Sequence, residues 1–307
     1  MKAVVLSGGG ARGAYEFGVY KALHRAGLEP DLITGTSVGA ITGALIASGA
    51  SIEQMEEVWM NLHTSNLLRM RKDIWGLPRW THFCEESPLR EIIERNVDFK
   101  ALRESRIKLA ITAIDVQTGQ THTFTNREIG MEHLLATAAI PLVFPMVDVG
   151  GTPFWDGGLA GGTPLKPAVK LGATEIYAIV VSPMTTGSLP PPTNLLESMS
   201  RLMEIVEVTA LREDVRHAQR LNDLVAKGLA RDVYRHIDIH VIGPKEPLGV
   251  SILDFAPGKA KALIARGEEE GQRFAEAMLK ARSVPVVTAQ PAAAQPALVE
   301  PAVAAEE

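Results

Sequence analysis

Gly35-Thr36-Ser37-Val38-Gly39 follows the short apolar run Leu32-Ile33 and precedes a helix-compatible run from Ala40 to Ser48. That order predicts a strand that turns sharply at Ser37 and leaves as a helix. Glycine on each side of the serine relieves crowding in so tight a turn. A serine raised on such an elbow presents its hydroxyl at the end of a sheet. The pattern points to acyl transfer or hydrolysis through an activated serine.

Working outward, strand-like and helix-like stretches alternate. Lys2 to Ser7 is a buried-strand pattern. Tyr15, Gly18, Val19, Ala22, Leu23 and Ala26 recur at spacings of three and four, with Gly27 as a stop, and predict a one-faced helix. Leu32 to Thr36 is the second strand. Ser51 with Gln54 three residues on forms a capping box, and Ser87-Pro88 opens a further helix. Ile107 to Ile114 and Thr174 to Ser182 are buried-strand patterns, the latter preceded by a helix over Pro164 to Lys170. Asn194 to about Ala230 is a long helical region, in which Leu195, Met199, Leu202 and Val206 share one face and are expected to serve a core. His236 to Ile242 is a late strand and Gly258 to Arg282 a last helix. No internal repeat is present. The alternation predicts an α/β fold, a three-layer sandwich on a largely parallel central sheet.

Gly8-Gly9-Gly10-Ala11-Arg12-Gly13 follows the first strand and opens the first helix. It also fits G-x-G-x-x-G, the dinucleotide fingerprint. That fingerprint needs an acidic residue at the end of the second strand. Asp31 lies at about the right distance but precedes that strand, whose own end carries Gly35-Thr36-Ser37. A nicotinamide or flavin oxidoreductase is therefore the weaker alternative. The other use of the loop is to aim main-chain N–H groups at a negative oxygen. Parallel neighbours would bring the loop and Ser37 to one sheet edge, where Arg12 could steady the loop or attract an anionic headgroup.

A serine hydroxyl needs a base. The eight histidines, His24, His63, His82, His122, His133, His217, His236 and His240, stand in no catalytic pattern. An α/β-hydrolase triad of Ser37, Asp156 and either His217 or His236 is compatible with chain order, although that fold places its elbow after several strands. Asp156-Gly157-Gly158 is the other candidate. It follows Pro153-Phe154-Trp155 and the apolar, proline-stiffened stretch Ala138 to Pro145. A carboxylate in such surroundings loses hydration, its pKa rises, and it becomes a better base near neutrality. An Asp-Gly hairpin turn explains the same residues equally well.

The three elements in this order, Gly8 to Gly13, Gly35 to Gly39 and Asp156 to Gly158, resemble the patatin-like phospholipase family. Ala136-Thr137-Ala138-Ala139-Ile140-Pro141 through Phe144-Pro145 is similar to the segment before that family's aspartate. The similarity spans roughly residues 2 to 182. It implies a cytosolic-phospholipase-like fold and esterase activity on acyl lipids, with no metal or cofactor. It implies Ser37 as nucleophile and Asp156 as general base, without histidine. The oxyanion hole would come from the glycine loop, Gly8, Gly9, Gly10, Arg12 and Gly13. Gly35, Gly39, Gly157 and Gly158 would shape the two turns. Gly158, where some members have alanine, is an ordinary variant. A non-catalytic lipid-binding or scaffold protein is the remaining alternative.

Composition bounds the rest. The 307 residues are 46% hydrophobic, with a net charge of −5. So mild an acidity gives no electrostatic footprint for nucleic acid. Residues 283–307 are mostly Ala, Pro, Val, Gln and Glu and predict a disordered tail, leaving 1–282 as the hydrolase domain. The single cysteine, Cys84, allows no intrachain disulfide, and cytosolic residence is the simplest expectation. Lys2 enters a strand at once, which leaves no room for a cleavable leader. No apolar run suits a membrane span. Membrane contact would then be peripheral. Residues 64–84 carry Leu67, Leu68, Met70, Trp75, Trp80 and Phe83 among Arg69, Arg71, Lys72 and Arg79, with Trp59 nearby. Aromatics among cations suit an anionic lipid surface, and the segment is a candidate cap over the site.

Overall fold

In the strands that run parallel, residues pointing to both faces are apolar, as a sheet covered on both sides requires. In a computed structural model, which describes residues 1–72, 80–184, 191–229 and 235–283, these are β1 (Lys2–Leu6), β2 (Leu32–Gly35), β3 (Lys108–Asp115), β7 (Glu175–Ile179) and β8 (Asp238–Ile242). Val4, Leu6, Ile33, Leu109 and Ile111 face one layer, formed largely by α1 (Gly13–Arg25), α2 (Val38–Ala47) and α10 (Pro257–Ser283). Their alternates Ala3, Val5, Leu32, Ile176 and Ala178 face α8 (Leu165–Lys170) and the second half of α9 (Leu195–Ala226). The three-layer sandwich expected from the alternation is what forms.

Strand order places β1 between β2 and β7. The chain moves outward from β1 through β2 to β3, then returns to the other side of β1. That reversal opens a crevice beyond the carboxyl end of β1, where open α/β sheets bind ligands. The glycine loop and the elbow both leave the sheet at this crevice.

Three strands escape the sequence patterns. β4 (Thr121–Thr125) pairs antiparallel with β3, and β5 (Val147–Val149) and β6 (Thr152–Asp156) pair with each other. They are short: β4 folds back on β3 and β5 on β6, the latter across Gly150-Gly151, a hairpin turn signal the sequence reading passed over, while β6 with β3 is the longer-range pairing. β4 fills one edge of β3. Along the other edge lie β2, with Gly35 opposite Ile111, and then β6, running the opposite way with Asp156 opposite Ala113. Two strand ends therefore meet head to head across Thr112. Asp156 ends a strand and starts the 3-10 turn Gly157–Ala160, so it is not the corner of a hairpin.

Two further expectations need correction. Leu202 does not serve the core: it is exposed, while Ser200, Glu204 and Glu207 of the same helix are buried. Trp59, on α3 (Ile52–Asn61), is buried against the start of α1 rather than presented at a surface. The capping box at Ser51 and Gln54 forms as read. Trp75 and Arg79 of the candidate cap, and the tail from residue 284 on, lie outside the described residues. No described helix is long and apolar enough to cross a membrane.

α1 and α10 pack backbone to backbone. A Cβ at Gly267 would stand 2.1 Å from the Tyr15 carbonyl oxygen, and one at Gly18 would stand 2.2 Å from that of Ile264. Alanine is the better helix former by about 1 kcal/mol. We expect the opposite sign here: Gly267→Ala should destabilise by about 1–3 kcal/mol through overpacking, measured by denaturant unfolding.

Candidate active site

The elbow is a strained turn. Ser37 has φ 56° and ψ −134°, outside the regions that a side chain favours. It starts α2 through its carbonyl, which accepts from Ala40 and Ile41, while its hydroxyl caps nothing. Gly39 is required by proximity: a Cβ there would meet the Leu6 carbonyl oxygen at 2.7 Å. Gly35 packs against the next turn of the elbow in the same way.

Buried threonines hold the turn in place. The Ser37 N–H donates to Thr137 Oγ1 at 3.0 Å, and Thr137 Oγ1 donates to the Thr112 carbonyl at 2.6 Å. Thr36 Oγ1 and Thr112 Oγ1 are 2.6 Å apart. Thr112 thus touches the elbow from the β3 side with both its hydroxyl and its backbone. Sequence reasoning noticed Thr137 only within a resembling segment and missed Thr36 and Thr112 as supports. Threonine is ordinary in strands, and nothing local marks it.

Asp156 approaches from the other side of Thr112. Its N–H donates to the Ala139 carbonyl at 3.0 Å, and its carboxylate accepts from Gly158 N–H at 2.7 Å. Gly157 fits only because it has no Cβ, which would stand 2.5 Å from the Thr112 carbonyl oxygen. The Ser37 side chain lines the same hollow as the carboxyl. Asp156 is 1% exposed and Ser37 8%. Burial pushes the carboxyl up to about 6, against the opposing pull of the Gly158 amide and the nearby Ser37 hydroxyl.

The glycine loop completes the cleft. Ser37, Asp156, Gly9, Gly10, Arg12 and Gly158 line one small hollow, with Ile140 on its apolar side and Met203, Glu204 and Glu207 of α9 over it. The loop amides are not equivalent. Gly8 N–H donates to the buried Glu16 carboxylate at 3.2 Å, Arg12 N–H to Gly9, and Gly13 N–H back into the turn. The Ala11 amide donates to the Ile252 carbonyl. Among the described residues no acceptor meets the amides of Gly9 and Gly10. The Arg12 guanidinium donates to the Val250 carbonyl at 2.7 Å and stands 3.9 Å from Glu204, so it braces the loop against α9. Glu16 was not singled out from sequence. It lies on the first turn of α1, fully buried, with its carboxyl held well above the ordinary range by desolvation.

No histidine lines this hollow. His217 and His236 are exposed, and His240 packs between Tyr177 and Phe274. A larger hollow of about 860 Å³, among Leu45, Gln54, Val58, Asn66, Ile92 and Arg95, contains none of the motif residues.

The threonine relay yields a measurable expectation. Thr137→Val leaves the Ser37 amide buried without an acceptor, which costs about 1–3 kcal/mol. Thr137→Ser keeps the hydroxyl and should recover most of that loss. Unfolding of the two variants against wild type checks the difference.

The chain is 31% identical over 186 residues to patatin-like phospholipase domain-containing protein 7 of Rattus norvegicus, covering 58% of this chain and 13% of that protein. It is 25% identical over 235 residues to the lysophospholipase NTE1 of Lodderomyces elongisporus, covering 68% of this chain and 16% of that protein. The chain therefore spans only a small part of these relatives. The crystal structure of VipD from Legionella pneumophila aligns over 90% of this chain and 67% of that one, with a TM-score of 0.51 at 14% identity, a likeness of fold. The family model described as Patatin-like phospholipase matches residues 4–169, more than half of the sequence, and the chain belongs to that family.

Proposed function

We propose that the chain is a serine acyl hydrolase acting on ester-linked acyl groups of phospholipids or lysophospholipids. Ser37 Oγ attacks the ester carbonyl carbon as Asp156 takes its proton. The carbonyl oxygen becomes an oxyanion held by the amides of Gly9 and Gly10. The intermediate collapses, the Ser37 ester remains, and the alcohol or lysolipid leaves with the proton from Asp156. Water then attacks the acyl-serine with the same carboxylate as base. The wider glycine-loop assignment narrows to two residues, because Gly8, Arg12 and Gly13 spend their amides inside the protein.

The observation that carries this reading is the elbow serine and a buried carboxyl lining one small hollow that no histidine lines. Family membership and the relatives' names supply the substrate class. A histidine triad finds no imidazole within the hollow. A dinucleotide cofactor finds the glycine loop covered, since a Cβ at Gly10 would meet the Ile252 carbonyl oxygen at 2.0 Å. Residues 64–84 support a peripheral lipid contact by a cytoplasmic protein: Met70 and Phe83 are exposed, Trp80 packs edge-on to Phe83, and Arg71 lies over the Trp80 ring.

A fluorophosphonate probe should label Ser37, and Ser37→Ala should abolish both labelling and ester turnover. Turnover by histidine-free variants alongside a lost turnover in Asp156→Asn would separate the dyad from a triad.

The base must be ionised to accept a proton. Turnover should therefore fall as pH drops through about 6, the value to which burial raises Asp156. An acidic limb near 4 in kcat/KM would contradict the assignment.

The same shift has a stability consequence. The native carboxyl holds its proton more tightly than the unfolded one. Its contribution is present at pH below the unfolded value and is lost as pH rises through about 6. Asp156→Asn should thus raise the melting temperature at pH 8 while reducing kcat by about a hundredfold or more.

A further inference from the structure

α9 is built inside out along its first half. In its second half Val208, Leu211 and Ala218 are buried, as a packed helix requires. In the turns before that, Ser200, Glu204 and Glu207 face inward and are buried, whereas Leu202 is 59% exposed and Ile205 49%. The inward face is the wall over the cleft, and the hollow between it and Ser37 has room for about 30 Å³. That is roughly the share of one water molecule in the liquid, against several hundred Å³ for a lipid-sized ligand. Room of that size beside Ser37 is too small to hold an acyl chain.

The attachments of the two halves differ in kind. The first half is held by polar contacts, with Ser200 Oγ 3.0 Å from Ser251 Oγ, Ser182 Oγ donating to Glu207 at 3.1 Å and Glu204 pairing with Arg12 at 3.9 Å, and by Met199 and Met203, which pack partly buried on a small apolar cluster that includes Ile140, Phe144 and Ile252. The second half is pinned by the apolar core and by Asn222, whose side chain bonds both the N–H and the carbonyl of Ile237. Serines and carboxylates released from a buried wall regain hydration, and the two flexible methionines can exchange their small apolar cluster for lipid, so an inward face of this composition can move at a lipid surface. Leucine and isoleucine already standing in water gain by entering lipid. A helix that is inverted when closed is correctly oriented when laid on a lipid surface. Leu142 and Met146, in the segment that follows the cleft residue Ile140, are also exposed.

From these observations we infer that the first half of α9, Glu197 to Glu207, is a movable wall that docks on a lipid surface through Leu202 and Ile205 and in doing so uncovers Ser37. The inference rests on the acyl-hydrolase reading for its substrate. The docking itself is a separate property of the helix.

Two variants of the full chain test it. Ser200→Cys/Ser251→Cys places two thiols where two hydroxyls now touch, and the sole native cysteine, Cys84, is buried. After oxidation, with the crosslink verified by mass, turnover of vesicles of phosphatidylcholine with a minority of phosphatidylglycerol should fall about tenfold or more and return on reduction. Equal turnover in crosslinked and reduced protein overturns the proposal. In Leu202→Ser/Ile205→Ser, co-sedimentation with the same vesicles should weaken. Vesicle turnover should drop about fivefold or more relative to turnover of a soluble short-chain ester by the same variant. Equal loss on both substrates, no loss, or sedimentation showing that the two residues hold two copies together would each overturn it. Failure of the hydrolase reading looks different: wild type would show no fluorophosphonate labelling, while vesicle co-sedimentation would still report docking.

Discussion

The site depends on Thr112. β3 offers one edge to two strands that arrive from opposite directions, β2 ending at Gly35 and β6 ending at Asp156, and Thr112 occupies the gap between them. Its hydroxyl meets Thr36, its carbonyl accepts from Thr137, and the Thr137 oxygen in turn accepts the Ser37 amide. Each of these groups is buried, so an unmade hydrogen bond would be costly and the arrangement has few alternatives. A strained serine backbone can persist only where its surroundings over-determine it. Here the surroundings are three threonines and a close-packed glycine.

Acidity is concentrated behind and above the same spot. Asp156, Glu16 and Glu207 are all buried, and burial raises all three, Asp156 and Glu207 to about 6. Each has a definite task within the proposed site. Asp156 faces the serine, Glu16 secures Gly8, and Glu207 helps to fasten α9 to Ser182. Carboxylates held in this way lower stability at neutral pH, as expected where function and packing compete. Engaging Gly8 also sorts the loop: Gly9 and Gly10 line the cleft with no acceptor for their amides among the described residues, while their neighbours are spoken for.

The α9 wall follows from the same economy of contacts. A helix whose buried side is serines and carboxylates with two methionines is a poor piece of core and a better removable cover. The stripe Met199, Leu202 and Val206 looks apolar on a helical wheel in either role, which is why periodicity alone assigned it to the core.

What the sequence determined by itself is local and ordered. The strand–turn–helix at Ser37, the glycine loop after β1, the parallel α/β alternation and the Asp156 motif are all legible, because each is set by residue types within a few positions of one another. What the tertiary structure decided is everything that depends on pairing at long range. The pairing of β6 with β3, the head-to-head meeting at Thr112, the partition of loop amides, the burial of Trp59 and the outward Leu202 have no local signature. Their identity comes from neighbours more than a hundred residues away in some cases, and a hydrogen bond or a buried face exists only once the chain has brought both partners together.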